Sequence, residues 1–394
     1  MFGACLLIVA IAAIGAGLTT FAAEQLRFEE RLAIGLVIGP VAVSVTGLLA
    51  FLVVGMGAGT VAVALVVPGV AAAAGVLRDR RRLAFEAGWA WDRLWLPWGD
   101  TRSLRPLAAL TVAGEVVSTR VLALAYQRTP TGLSAGTLAN WADGAAHTAY
   151  TSSFAFGDNR GLDLPIASGH GFTYHFLADF FAALFTPVGA TVPQALSASA
   201  WMLAVAWPVL VWCVAERLGV GRLAAGLTVL LFTLSGGLGW WYFLDDVRAG
   251  GWGTLTTLPR TYARMTDHHL WLDNTIQVSL YAQRSTQLGL SVGLVAAILV
   301  LSARPAGRRV GFAAAGLLIG ALGVAHAHML ATAIALGALA WFADRHTANR
   351  RLWPWLLAPA VLLGAPLALA ISPDSNAIRW MVGWMAPGAG QNWA

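Results

Sequence analysis

The chain has 394 residues, of which 58% are hydrophobic and 11% charged, with a mean hydropathy of +0.68. Soluble domains carry about a quarter charged residues, so composition excludes an ordinary soluble globular protein. The formal charge of +6 comes from arginine alone, with no lysine; these arginines sit in short loops between apolar runs, which points to membrane topology rather than nucleic acid.

The apolar runs are Leu/Ala/Val/Gly blocks without strand-like alternation, which argues against a β-barrel. The predicted fold class is an all-α, polytopic transmembrane helical bundle of about nine to ten spans, with a large outer loop carrying interfacial helices. Three parts follow: transmembrane helices over 1–126, an outer loop with amphipathic helices over 127–195, and further transmembrane helices over 196–394 with a second outer loop at 244–284. The first run, 3–23, lacks a basic leader and reads as a span, not a cleaved signal. Spans follow at 32–54, 58–77, 104–126, 196–215, 223–243, 285–303 and 353–371. The apolar stretch 310–342 is too long for one span of about 20 residues; it breaks near 323–328 and crosses once or twice. Cys5 and Cys213 lie in apolar runs, and both are expected as buried free thiols. The polar end QNWA suits a fragment of a longer protein.

With the N-terminus outside, 17 of the 25 arginines fall in inner loops 24–31, 78–105, 216–222, 304–309 and 343–352. The reverse orientation breaks the positive-inside bias. If 172–190 crossed, every later loop would invert, so this segment is expected as a helix lying in or dipping into the outer interface, as is tryptophan-rich 89–98 at the inner face.

The polar outer loops carry the candidate chemistry. Asp143 and His147 lie one helical turn apart, a spacing that suits a base with its orienting partner, a divalent-ion site, or a wet polar face. His175 and Asp179 repeat the spacing within GFTYHFLADFFAALF. They face either the 139–152 helix, clustering with Asp143 and His147, or the lipid headgroups. Tyr174, between Phe172 and Phe176, is an interface anchor or a ligand-stacking group. His326 and His328 share a site only if the helix is broken there; otherwise they cap helix ends. Asp267, His268, His269 and Asp273 have metal-capable composition without recognised ligand spacing. Arg260, Arg264 and Arg284 face outward against the trend and suit phosphate binding, or snorkel. Glu115 and Arg120, inside one span, are each expected to meet a neighbour.

The order WADGAAH, FGDN, GFTYHFLADFFAAL, QRSTQLG and GVAHAHML, over about 141–330, resembles bacterial polytopic proteins of the integral-membrane C-type glycosyltransferase superfamily. The resemblance implies a membrane enzyme that transfers a sugar from a polyprenyl-phosphate donor to an outer-face acceptor. It makes Asp143 the catalytic carboxylate of the first large outer loop, as general base or metal ligand, with His147 orienting it or sharing the metal. Tyr174, His175, Asp179, Arg260, Arg264 and Arg284 then bind substrate, and a divalent cation (Mg or Mn) is held by Asp143, His147, His326 and His328. The implied setting is the bacterial plasma membrane, active face outward, with the lipid bilayer and the lipid-linked donor as partners and no nucleic acid. This sequence departs from the pattern in that its large loop follows the fourth span, not the first, and lacks an Asp-x-Asp pair. The alternatives are a transporter or lipid flippase without catalytic chemistry, and a surface-glycan polymerase or ligase.

Overall fold

The computed structural model describes residues 2–370 except 23–24, 131, 136–137, 173, 235–236, 256, 261, 263, 269, 272–278 and 281–282. His269, Asp273 and the tail beyond 370 therefore lie outside the described residues. The chain opens with helices α1 (Phe2–Ala22), α2 (Phe28–Val54), α3 (Ala58–Trp95) and α4 (Arg105–Ala125). A hairpin of β1 (Tyr126–Thr129) and β2 (Gly132–Ala135) leads to α5 (Leu138–Phe156) and the short α6 (Leu177–Ala183). Then come α7 (Val192–Arg217), α8 (Arg222–Leu234), α9 (Trp240–Gly250) and a second hairpin, β3 (Arg264–Met265) with β4 (Leu270–Trp271). The last helices are α10 (Arg284–Ala303), α11 (Arg309–Ala325), α12 (Ala327–Ala343) and α13 (Trp353–Ala370).

The fold is an all-α helical bundle apart from these two small hairpins. Six helices, α1 to α4, α7 and α10, are long and apolar enough to cross a membrane, and α8 with the segment after it forms a further pair bent by 84°. The chain is a multi-pass membrane protein. In lipid, helices associate through close packing more than through hydrophobic expulsion, so small residues mark the crossings. A Cβ on Gly35 would sit 2.5 Å from the Ala16 backbone nitrogen, and one on Gly39 would sit 2.3 Å from the Ile11 carbonyl. Gly316 and Gly320 seat α11 against α13 in the same way.

The arginine loops gather at one end of this bundle. Arg27 joins Glu30 (2.9 Å) and Glu216 (2.7 Å), Arg217 also reaches Glu30, Arg31 reaches Glu86 (2.8 Å), and Arg93 reaches Glu29 (2.8 Å). Arg222 donates to the Thr101 carbonyl. Gly311 lies close to the Ala22 carbonyl, which brings the start of α11 to the same end. Arg304 Nε contacts Asp344 at 3.1 Å, so α11 and α12 run away from this basic end and back. The 310–342 stretch therefore traverses the bundle twice, and its two 17-residue helices each measure about 26 Å.

The other end collects the polar loop. Arg160 donates to the Val53 carbonyl, and Gly3 lies against Val188. Residues 126–191 thus begin and finish at the end opposite the arginines, as expected for a segment that does not cross. Two expectations change. The segment expected to lie in the interface forms α6 instead, and every residue of α6 is buried, packed among α2, α5, α7 and α10. A helix at a lipid surface leaves one face open; this one has apolar groups on all sides and is held inside the bundle. Cys213 is buried as expected, but Cys5 is exposed. The 89–98 stretch continues α3 to Trp95, with Trp89, Trp91, Trp95 and Trp98 all exposed.

Candidate functional site

The polar centre of the molecule is built where α5 meets α6. Helical periodicity puts His147, Tyr150, Thr151 and Phe154 on one face of α5, and all four are buried. That face meets a cluster of phenylalanines. Phe154 stacks on Phe172 with centroids 5.5 Å apart and also contacts Phe51, Phe176 and Phe180. Such contacts have defined geometry and add about 0.5–1.5 kcal/mol per pair beyond area burial. They fix α6 so that Asp179, fully buried, points at α5.

His147 Nδ1 lies 3.0 Å from both Asp179 oxygens. A carboxylate only accepts hydrogen bonds, so the proton sits on Nδ1 and is donated to Asp179. The Nε2 lone pair is then the basic position of the ring, and among the described residues nothing is bonded to it. The two sequence-local pairs have thus been exchanged for one tertiary pair. Asp143 is exposed, one turn nearer the start of α5, and makes no hydrogen bond to a described residue. Its charge still acts on Tyr150 and Tyr174, which places it at the rim.

Rings continue from the dyad across the end of the bundle. His147 lies 6.0 Å from both Tyr150 and Tyr174. Tyr174 stacks on His175 at 4.0 Å, His175 meets His326 edge-on at 5.1 Å, and His326 lies 5.5 Å from His328. The Tyr174 hydroxyl is 3.3 Å from Ser285 Oγ. Burial raises the Tyr174 phenol above its ordinary pKa. Burial, with His326, His328 and His147 nearby, pulls His175 down to about 3, so its ring is neutral at physiological pH.

His326 is the residue at which α11 stops and α12 starts, with φ −170° and ψ 103°. Its Nδ1 accepts from the Met329 amide at 3.1 Å, capping α12. The remaining ring proton therefore lies on Nε2 and is donated to Thr286 Oγ1 at 3.0 Å, while Thr286 donates to Gln283. Both nitrogens of His326 are committed, and His147 Nδ1 is committed to Asp179. Tyr174 and His175 stand between the two histidines. Among the described residues no group of three or more His, Cys, Asp or Glu side chains could hold a metal ion. The divalent-cation set expected from Asp143, His147, His326 and His328 is therefore not assembled, and the residues present do not fit such an ion.

Arg284 does not snorkel to headgroups. It is 4% exposed and donates to the Leu196 carbonyl at 2.6 Å and to Ser199 Oγ, both on α7. Its Nε is buried without a partner among the described residues, and Asp179 and Tyr126 are the groups whose charge acts on it. Arg260 is committed elsewhere: its Nε and Nη2 grip Asp246 at 2.7 and 2.5 Å, and Tyr262 donates to the same carboxylate. The Nε–Nη2 edge of its fork is therefore occupied, and Asp246 balances its charge. Arg264 lies on β3, with its side chain outside the described residues. His268 stacks on Tyr242 at 4.2 Å, and among the described residues no hydrogen bond or ring contact joins that hairpin to the dyad. Ser285 and Thr286 are site residues that the sequence reading passed over; the hydroxyl pair beside Arg284 in QRSTQ was the available signal. A crevice of about 630 Å³ lies between α11, α12 and α13 and is lined by residues such as Ile319, Leu330, Ile334, Trp341 and Leu356, none of them in this cluster. Comparison with protein-family models, curated proteins and solved structures finds no match to this chain.

Proposed function

We propose that the chain is a membrane glycosyltransferase that moves a sugar from a lipid-phosphate donor to an acceptor at the end of the bundle opposite the arginine loops. The positive-inside bias supports reading that end as the outer face, here of a bacterial plasma membrane. The observation that carries the reading is the buried His147–Asp179 pair, a base with its orienting carboxylate, beside a buried arginine. The base role passes from Asp143 to His147, because Asp143 is exposed whereas His147 is held in one tautomer. In the reaction, the acceptor hydroxyl gives its proton to His147 Nε2. The acceptor oxygen bonds to the anomeric carbon, the bond from that carbon to the phosphate oxygen breaks, and the lipid phosphate leaves with the electron pair. Arg284 offsets the charge that develops on the phosphate.

The test uses purified chain in liposomes with a panel of polyprenyl-phosphate sugars and reads release of lipid phosphate. His147→Gln and Asp179→Asn are expected to lower release about 100-fold or more. Full release by His147→Gln at equal protein amounts refutes the assignment. A second reading, proton-coupled transport, draws on the run of rings from Tyr150 to His328. It requires proton flux without lipid-phosphate release, lost in His175→Ala liposomes.

A further inference from the structure

Helix α4 has an open face. Its residues Leu107, Gly114, Ser118, Leu122 and Ala125 are buried, toward α7 and α8. The exposed positions are 109, 112, 113, 116, 119, 120 and 123. Ala109, Val116 and Ala123 repeat every seven residues, and so do Val112 and Thr119, offset by three. This is the a/d stripe of a parallel helix pair. The side chains along it are small, as close approach of helices in lipid requires. Val112 is 64% and Val116 66% exposed.

The two charges of this span flank the stripe on either side: Arg120 is exposed, and Glu115 is half-buried with both carboxylate oxygens shielded within its own fold. Each was expected to meet a neighbour, and among the described residues neither does: both Glu115 oxygens lack a hydrogen-bond partner, and Arg120 is exposed without an ion pair. A charged group inside a span is costly unless paired. Glu115 cannot reach Arg120 on its own helix, because five residues turn the two apart. In the heptad frame Glu115 is at g and Arg120 at e. In a parallel pair, g of one helix faces e of its partner five residues further on, about 7.5 Å along the axis. An arginine side chain spans that distance.

We propose that two copies of this chain pair through α4, side by side and parallel in the membrane, with Glu115 of each bonded to Arg120 of the other. The match is self-complementary: one twofold axis along the membrane normal satisfies both charges of both copies. A lone lipid-facing span satisfies neither. Copies inserted the same way round have parallel α4 helices, which is the arrangement that the five-residue offset needs. On forming the pair, the Glu115 side chain turns from the flank of its own helix toward the partner.

The test is disulfide crosslinking in native membranes. Val116→Cys, at the centre of the stripe, is made with Cys5→Ser and Cys213→Ser, and Leu362→Cys on α13 serves as an exposed control. Oxidation should give a dimer band for position 116 and not for position 362. Added to Val116→Cys, Glu115→Arg alone and Arg120→Glu alone should each lower crosslinking by roughly tenfold. The combined reversal, Glu115→Arg with Arg120→Glu, should restore it, and because it carries both changes it also reports whether either one harms folding. Crosslinking at 116 no greater than at 362 overturns the proposal, as does a band of some other mass. Equal crosslinking in the single reversals at equal protein amounts overturns the charge pairing.

Discussion

Removing either member of the His147–Asp179 pair exposes how tightly the two are coupled. Both side chains are buried, at 2% and 0% exposure, and Asp179 has no hydrogen-bond donor other than His147 among the described residues. His147→Ala strands a carboxylate in an apolar pocket of phenylalanines, a situation that costs about 3–5 kcal/mol. Asp179→Ala leaves an imidazole that remains neutral by shifting its proton, so the loss is nearer the value of one charged hydrogen bond, about 1.5–3 kcal/mol. The combined variant removes donor and acceptor together. It should therefore be less destabilised than the sum of the two single variants by about 1.5–3 kcal/mol. Asp179→Asn keeps the shape and one acceptor and should cost about 1 kcal/mol. The assay is reversible unfolding of purified protein in mixed micelles, followed by circular dichroism. Additivity of the two single changes within about 0.5 kcal/mol would refute the pairing and, with it, the tautomer assigned to His147.

Acid should weaken the fold through His175. Its folded pKa, about 3, lies below the usual value near 6.5, so the unfolded chain binds the proton first. The stability it contributes is complete above about pH 6.5 and is lost as pH falls toward 3, with a slope bounded by about 1.4 kcal/mol per pH unit. His175→Asn should flatten the melting-temperature profile in that window, and an unchanged profile counts against a neutral, desolvated His175. Glu30, fully buried between Arg27 and Arg217, anchors the basic end. Glu30→Gln should destabilise by about 3 kcal/mol, read as earlier unfolding, because it leaves two arginines without their shared acceptor. Gly35→Val should prevent α1 and α2 from closing and lower the amount of folded protein in membranes, whereas Gly59→Ala, a site with open space around it, should leave that amount unchanged.

The spans were legible because lipid imposes one length and one composition on them, and the arginine loops were legible because charge asymmetry is carried by single residue types. The traverse of 310–342 out and back follows from the same arginines, since both of its ends carry them. What sequence periodicity missed is tertiary. Asp143 and His147 have ideal helical spacing, yet the buried partner of His147 is Asp179, on a separate helix. The segment containing Asp179 looks like an interface helix because phenylalanine suits both headgroups and a protein interior. Only the presence of Phe51 and Phe154 around it decides between them. The place of Arg284 at the start of a span suggests phosphate binding or snorkelling; the carbonyl and hydroxyl that hold it belong to α7, more than 80 residues earlier. Spacing along one helix cannot show such partners.

The burial of α6 sets an order of assembly. His147 and Asp179 are 32 residues apart and can meet soon after they are made. Tyr174 meets Ser285 across 111 residues, and His175 meets His326 across a longer interval still. During synthesis, then, α6 waits with its phenylalanines uncovered until α7 and α10 have entered the membrane, because contacts between distant parts of a chain form late. The polar centre is closed only when the ribosome has passed His326, and until α7 has been made the most buried helix has nothing to pack against but α2 and α5.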